Sequence, residues 1–142
     1  KKVGKHITIE TAATVPPGEI VCDLASLSPK LSNSTPSSEL DPAWGKKHEA
    51  TRLQPAVIAE WMKNYDFQLK FVVATEKDLA EIKTLLSRLP PAPFHRVLLM
   101  PEGIDAKSLS SRAAWLVEVC KREGFRFCPR IHLQLFGNTR GT

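Results

Sequence analysis

Short apolar runs alternate in this chain with segments whose apolar positions recur at helical spacing. The short runs predict strands over residues 6–12, 19–26, 67–74, 96–100 and 125–136. Proline, glycine and small polar residues separate them, as expected of turns and loops. The second run is apolar enough for a strand buried on both faces, which is typical of a parallel sheet.

Three longer segments carry their apolar residues on one helical face. Residues 54–64 predict a helix that begins with a proline in its first turn, where proline is tolerated. Thr75, followed three residues later by Asp78, predicts a capping box at the start of a second helix, which the two prolines at 90–91 end. A third helix is predicted over residues 105–123, and Gly124 is predicted to end it.

The predicted order of elements is β-β-α-β-α-β-α-β. Strands that alternate with helices indicate an α/β fold with a parallel sheet, and right-handed crossovers would curl this sheet into part of a (β/α) barrel. Five strands are too few to close a barrel, so a partial barrel is expected. Residues 1–142 are long enough for a single domain, and the polar, proline-broken stretch 31–51 is predicted to be a loop insertion.

Composition and charge narrow the class of protein. The net charge is +5, but the cations are scattered, which argues against a nucleic-acid interface. There is neither an apolar run of membrane-spanning length nor the apolar core of a signal peptide. The three cysteines are odd in number and widely spaced, which favours a reducing, cytoplasmic location. No cysteine pair has metal-binding spacing, and Cys22 and Cys120 are expected to be core thiols.

Three of the predicted strands end in small polar clusters. These endings are the segments around Thr11, around Ser28-Pro29-Lys30 and around Pro101-Glu102-Gly103. Because ligands of α/β proteins sit beyond the carboxyl ends of the strands, the endings predict one shared ligand-binding rim. Lys30 suits a carboxylate or phosphate, although a solvated surface lysine fits the pattern as well. These residues alone do not define a reaction.

Five strings in register carry a family resemblance. They are residues 4–14, 23–34, 67–72, 99–103 and 129–137. Together they resemble 7-carboxy-7-deazaguanine synthase, a radical S-adenosylmethionine enzyme of queuosine and deazapurine biosynthesis. The resemblance implies a lyase that converts 6-carboxy-5,6,7,8-tetrahydropterin to 7-carboxy-7-deazaguanine with loss of ammonia. It also implies a [4Fe-4S] cluster, S-adenosylmethionine and Mg²⁺ as cofactors, a modified partial barrel, and a homodimer.

The resemblance assigns roles to individual positions. Thr11 and Thr142 would contact the pterin substrate. The positions that match S-adenosylmethionine-binding elements are Ala13, Ser28, Pro29, Lys30, Met100, Pro101, Glu102 and Gly103. The family has glycine where this chain has Ala13, and alanine gives a ligand less room to approach the backbone.

Two family elements are missing from the sequence. The cluster-binding CxxxCxxC loop and the Gly-Gly-Glu-Pro strand end do not occur, so this chain supplies neither the cluster ligands nor the Mg²⁺ contact, and no catalytic or metal-binding residue is assigned. The resemblance therefore implies the C-terminal portion of the enzyme, inactive by itself. Two alternatives stay open: a non-catalytic ligand-binding module, and an RNA- or protein-interaction domain.

Overall fold

A computed structural model describes residues 4–36 and 42–139 of the chain. The strands in these ranges are β1 (Thr8–Thr11), β2 (Leu24–Leu27), β3 (Phe67–Val73), β4 (Val97–Pro101) and β5 (Arg126–Phe127). The α-helices are α1 (Pro42–Thr51), α2 (Pro55–Asn64), α3 (Glu76–Leu86), α4 (Ala106–Glu123) and α5 (Ile131–Phe136). Single 3₁₀ turns span Ser32–Ser34 and Phe94–Arg96.

The five strands form one parallel sheet in the order β1-β2-β3-β4-β5. Thr8 pairs with Leu24 at one side of the sheet, and Leu98 pairs with Arg126 at the other. Since every neighbouring pair is parallel, all five carboxyl ends lie at the same edge. The predicted α/β class with a parallel sheet is confirmed.

One face of the sheet carries the hydrophobic core. Leu69, Phe71 and Val73 alternate along β3 and are fully buried, because successive side chains of a strand point to opposite faces. Helices α2, α3 and α4 pack on this face and contribute to the same cluster. Among their buried residues are Ile58, Trp61, Leu79, Ile82, Leu116 and Val119.

The opposite face of the sheet carries polar side chains from β1, β2 and β3 beside the apolar Leu98 and Met100 of β4. Lys70 makes an ion pair of 2.5 Å with Glu10, and the amide of Gln68 donates a 2.9 Å hydrogen bond to the Ser26 hydroxyl. Ser26 is only 3 % exposed, so this hydrogen bond satisfies a buried polar group. Residues of this face take no part in the core cluster of the first face.

The predicted helix boundaries are largely confirmed. The Asp78 carboxylate accepts hydrogen bonds from the backbone N–H groups of Ala74 and Thr75, completing the capping box of α3. Asp105 caps α4 by accepting from the backbone N–H of Ser108 at 2.9 Å. Gly124 ends α4 in the left-handed conformation, which glycine adopts without a Cβ penalty. No helix in the described ranges is long and apolar enough to cross a membrane.

The prediction of a strand over residues 125–136 is wrong for most of its length. β5 covers only Arg126–Phe127, and residues 131–136 form helix α5. Apolar and polar residues alternate in this stretch, which resembles a strand, but Pro129 has no N–H to continue the ladder. Ile131, Leu135 and Phe136 of α5 are more than half exposed.

The strand predicted over residues 19–26 is shorter than its apolar composition suggests. β2 begins at Leu24, and the preceding Ile20 and Val21 are 40 % and 63 % exposed. The connection from β1 to β2, residues 12–23, contains no helix. Aromatic side chains of the α2 region hold it instead: Trp61 donates to the Val15 carbonyl at 2.9 Å, and Tyr65 donates to the Ile20 carbonyl at 2.6 Å.

The predicted loop over residues 31–51 contains a helix. Pro42 begins α1, which is ten residues long and buries only Gly45 among its members. Helical periodicity could not reveal α1 because its sequence carries no apolar stripe, and Trp44 is 53 % exposed. Ion pairs anchor α1 instead: Arg52, which directly follows the last residue of the helix, pairs with Glu49 and Glu81.

Candidate functional site: a cleft at the carboxyl ends of the strands

Backbone hydrogen bonds join the polar endings of neighbouring strands. The N–H of Ser28 donates to the Thr11 carbonyl at 2.7 Å, and the N–H of Glu102 donates to the Val73 carbonyl at 2.9 Å. Residues that follow β2 are thus held beside the end of β1, and residues that follow β4 beside the end of β3. The three polar strand endings therefore lie at one edge of the sheet, and ligand binding there stays a prediction.

A cleft of about 270 Å³ opens at this rim. The residues that line it are Ser28, Pro29, Lys30, Leu31, Asn33, Ser34, Val72, Glu102 and Arg130. Four of the eight predicted cofactor-binding positions, Ser28 to Lys30 and Glu102, therefore come together in one concavity. A larger apolar groove of about 570 Å³ lies near the amino end of β3, and none of the predicted residues lines it.

The Ser28-Pro29-Lys30 segment has a buried beginning and an exposed end. Ser28 is 5 % exposed, whereas Lys30 reaches solvent. The guanidinium of Arg52 donates to the Lys30 carbonyl at 3.0 Å, and the Asn33 amide donates to the Val72 carbonyl at 3.0 Å. These hydrogen bonds from two later segments fix the backbone of the cleft wall.

Arg52 is the centre of a charged network behind that wall. It donates to Glu49 at 2.8 Å and to Glu81 at 2.5 Å, while Glu81 accepts from the Ser32 N–H and hydroxyl at 3.0 and 2.8 Å. Burial by itself raises the pKa of Glu81, but the hydrogen bonds from Ser32 and Arg52 outweigh it and lower that pKa overall. Burial lowers the pKa of Arg52, and its hydrogen bonds to both glutamates reverse this effect.

Glu102 faces the cleft but has a cationic partner. The Arg112 guanidinium lies 3.1 Å from its carboxylate and donates to its backbone carbonyl at 2.8 Å. The carboxylate is therefore charge-compensated while one oxygen is left to accept a hydrogen bond from a ligand. Such an acceptor suits hydroxyl groups.

The turn after Glu102 requires glycine. Gly103 has a φ of 150°, and a Cβ there would meet the Ser108 hydroxyl at 2.7 Å. Met100, Pro101 and Gly103 belong to the same strand-end turn as Glu102 but do not line the cleft. Pro101 instead lines a second cleft of about 320 Å³ between α4 and α5.

Thr11 and Ala13 lie beside the cleft rather than in its wall. The Thr11 hydroxyl accepts a 3.1 Å hydrogen bond from the Ala13 N–H, which tightens the chain after β1. Ala13 is fully buried and has a φ of 53°, a conformation that glycine adopts more readily. The backbone thus has the glycine-type conformation even though the residue is alanine. Thr142 lies outside the described residues.

Five cleft residues were not predicted from the sequence: Leu31, Asn33, Ser34, Val72 and Arg130. Asn33 and Arg130 are the two with nitrogen donors in their side chains. Asn33 stands in a polar run that indicates only a loop, and Arg130 stands in the string 129–137 without a pattern that marks a ligand. Only the fold brings both to the cleft, Asn33 from the 3₁₀ turn and Arg130 from the start of α5. Nothing in the local sequence marks either residue as part of the cleft.

No group of three or more histidine, cysteine or acidic residues within 4–36 and 42–139 could hold a metal ion. None of the three cysteines forms a disulfide with another described residue, and burial raises the pKa of Cys120 to about 11. A thiol with so high a pKa stays protonated at neutral pH, as expected of the core position predicted for it.

A parallel sheet with helices on one face and polar side chains beyond its carboxyl ends is the arrangement of α/β enzymes and ligand-binding proteins. Comparison with known proteins specifies this class. The chain is 37 % identical to the 7-carboxy-7-deazaguanine synthase of Halobacterium salinarum, over 99 % of the chain and 58 % of that protein. It is 39 % identical to the synthase of Rhodopirellula baltica, over 100 % of the chain and 55 % of that protein.

A third synthase, from Pyrobaculum aerophilum, is 29 % identical over 95 % of the chain. No protein-family profile matches the chain, and no solved structure matches it significantly. The resemblance deduced from the sequence is confirmed: the chain is related to 7-carboxy-7-deazaguanine synthases along almost all of its length. It spans little more than half the length of these curated relatives.

Proposed function

We propose that this chain is the C-terminal portion of a 7-carboxy-7-deazaguanine synthase, called here the parent enzyme. The parent enzyme would convert 6-carboxy-5,6,7,8-tetrahydropterin to 7-carboxy-7-deazaguanine with loss of ammonia, in queuosine and deazapurine biosynthesis. The observation that carries this proposal is the match to three synthases along 95–100 % of the chain. The convergence of Ser28, Lys30 and Glu102 on one cleft supports it independently.

The donor set of the cleft fits S-adenosylmethionine. That cofactor carries a carboxylate, an ammonium group and ribose hydroxyls. Lys30 would receive the carboxylate, Glu102 would accept from the hydroxyls, and backbone carbonyls near Ser28 would accept from the ammonium group. When reduced by an iron–sulfur cluster, S-adenosylmethionine supplies a radical that abstracts hydrogen. The residues of this chain bind and orient; none of them is assigned a chemical step.

The residues present do not fit a [4Fe-4S] cluster or Mg²⁺. The three cysteines stand at positions 22, 120 and 128, and the described residues offer no metal-binding group. In the proposal, both groups are held by the remainder of the parent enzyme, which is a lyase of the radical S-adenosylmethionine class. The 142-residue chain alone is therefore expected to be inactive.

The shape of the sheet supports a partial barrel in the parent enzyme. The strands follow one another in sequence order, helices α2 to α4 pack on one face, and the other face carries the Glu10–Lys70 ion pair and the Gln68–Ser26 hydrogen bond. In a (β/α) barrel, helices surround the sheet and the inner face surrounds the axis. The Glu10–Lys70 pair would then face the interior of the parent barrel. The parent enzyme is further expected to be a homodimer, which its molar mass by light scattering would test.

Turnover by the purified parent enzyme tests the proposal. The protein would be reconstituted with iron and sulfide without oxygen, then incubated with reductant, Mg²⁺, S-adenosylmethionine and 6-carboxy-5,6,7,8-tetrahydropterin. We expect absorbance near ~400 nm from the cluster and 7-carboxy-7-deazaguanine by mass spectrometry. A protein that holds the cluster but leaves the pterin unchanged would contradict the assignment and favour a non-catalytic binding module.

A further inference from the structure

Arg130 carries a buried polar atom with no partner. Its Nε is inaccessible to solvent and makes no hydrogen bond within the described part of the chain. A guanidinium has five N–H donors and accepts nothing, so an unpaired donor in a buried position has an energetic cost. Such a group in a folded protein calls for an explanation, and a bound molecule that completes it is one. Arg130 is therefore an incompletely satisfied cation, and it lies in the wall shared by the strand-end cleft and the second cleft beside α4.

The cleft around Arg130 has an excess of positive charge. Lys30 and Arg130 both line it, and neither makes an ion pair with a described residue. Glu102 is the acidic residue of the lining, and its charge is already compensated by Arg112 at 3.1 Å. A ligand that enters this cleft thus meets two cations without carboxylate partners. An anionic group is the natural complement.

The two cations come from distant parts of the sequence. Lys30 follows β2, and Arg130 precedes α5 beyond β5, the other side of the sheet. Both reach the same cleft because all strands end at one edge. An anion bound between them would link the two sides of the sheet at their carboxyl ends.

We infer that Arg130, together with Lys30, is the receptor for a carboxylate of a small-molecule ligand. The inference rests on the proposed function, under which both S-adenosylmethionine and the pterin carry a carboxylate. The planar guanidinium matches a carboxylate with two parallel N–H donors, whereas Lys30 adds a point charge. Arg130 is thereby a binding residue of the cleft, and one that the family resemblance did not assign.

Paired ligands with and without the carboxylate test this inference and identify its source. Isothermal titration calorimetry on the reconstituted parent enzyme would compare S-adenosylmethionine with decarboxylated S-adenosylmethionine. A second arm would compare 6-carboxytetrahydropterin with tetrahydropterin. In one of these two comparisons, Arg130→Ala should weaken the binding of the carboxylated ligand about 10- to 100-fold, since hydrogen bonds to charged groups are worth roughly 1.5–3 kcal/mol. The ligand that lacks the carboxylate should bind the variant and the wild type alike.

Two further variants separate recognition from folding. Arg130→Lys keeps the charge but not the paired donors, and we expect an intermediate loss of affinity in the same arm. Arg88→Ala removes an exposed arginine that lies after α3, far from the carboxyl edge, and should bind all four ligands like the wild type. If Arg130→Ala does not fold, the comparison of Arg130→Lys with the wild type decides whether Arg130 binds the carboxylate.

The outcomes distinguish this inference from the proposed function. If the Arg130 variants bind both carboxylated ligands as tightly as the wild type does, the receptor role is overturned and the proposed function is not. Equal weakening of ligands with and without the carboxylate would also overturn it, because a merely structural residue gives that result. A wild-type parent enzyme that binds neither S-adenosylmethionine nor the pterin would overturn the proposed function and this inference with it.

Discussion

Ala13 combines full burial with a left-handed backbone, and these two properties have opposite energetic effects. The left-handed conformation costs a residue with a Cβ roughly 1–2 kcal/mol. The buried methyl returns about 0.8 kcal/mol of hydrophobic stabilisation. The two contributions nearly cancel, so this position tolerates alanine in place of the family glycine.

Glycine at this position should therefore leave stability almost unchanged. We expect the free energy of unfolding of Ala13→Gly to lie within about 1 kcal/mol of the wild type, because relief of backbone strain offsets the lost methyl. Ala25→Gly is the matched control, since Ala25 is equally buried but lies in a regular strand. It should lose about 1.5 kcal/mol. Urea unfolding measures both, and equal losses would contradict the strain argument.

The contact between α1 and the rest of the fold depends on charge rather than on apolar packing. α1 buries only Gly45, whereas Arg52 at its end connects Glu49, Glu81 and the Lys30 carbonyl. Exposed ion pairs are worth little, but this guanidinium is only 11 % exposed and bonds three acceptors. The network therefore couples the position of α1 to the backbone of the cleft.

The network should respond to acid. Because the folded pKa of Glu81 is lowered, its stabilising contribution is complete above the unfolded value of about 4.3 and is lost as the pH falls through the folded pKa. Glu81→Gln should be less stable than the wild type at pH 7, and the difference should shrink as the pH falls below about 4. Thermal unfolding across pH measures this difference.

Glu118→Gln is the control for Glu81→Gln. Glu118 forms an exposed pair with Lys121 on α4, so its removal should change stability by less than about 0.5 kcal/mol at any pH. Limited proteolysis gives a second measurement, since Glu81→Gln should also expose residues 42–51 to cleavage. A variant equally protected at pH 7 would show that α1 does not depend on this carboxylate.

Under the proposed function, the chain as a whole is one wall of a binding site. The predicted ligand residues between Thr11 and Gly103 lie along a single sheet edge, and α5 leaves Ile131, Leu135 and Phe136 exposed. Apolar side chains grouped in this way indicate a contact surface. In the proposed function, the remainder of the parent enzyme covers it.

The isolated 142-residue chain should accordingly bind S-adenosylmethionine much more weakly than the parent enzyme does. We expect at least a tenfold difference, about 1.4 kcal/mol, because part of the binding surface is missing. Calorimetry on both proteins under the same conditions gives the comparison. Equal dissociation constants would mean that the cleft is a complete site in this chain.

The sequence predicted those features that depend on local chemistry. The capping box at Thr75, the αL glycine at 124 and the core faces of α2 and α3 follow from residue type and spacing, and the structure contains all of them. α1 escaped prediction because charges rather than an apolar stripe anchor it. α5 was mistaken for a strand because six residues are too few to separate a period of 2 from a period of 3.6.

The residues of the candidate site also fall into those that local sequence predicts and those that it does not. Ser28, Lys30 and Glu102 are adjacent to strand ends, so the rule for parallel sheets locates them. Arg130 follows β5, the last strand in the order of the sheet, and no local sequence pattern shows which strands are neighbours. Its position depends on the strand order, which only the folded chain reveals.

The helix-free connection between β1 and β2 has a consequence for the order in which the protein folds. In a usual parallel pair, the crossover helix forms and docks along with its strands. Here Trp61 donates to the Val15 carbonyl from 46 residues further along the chain, so the connection that follows β1 is not held in place until α2 has docked. Closing so long a loop is slow, and β1 should join late, after β3 and its neighbouring helices. During synthesis, β1 would therefore be made before β3 but would join the sheet after it.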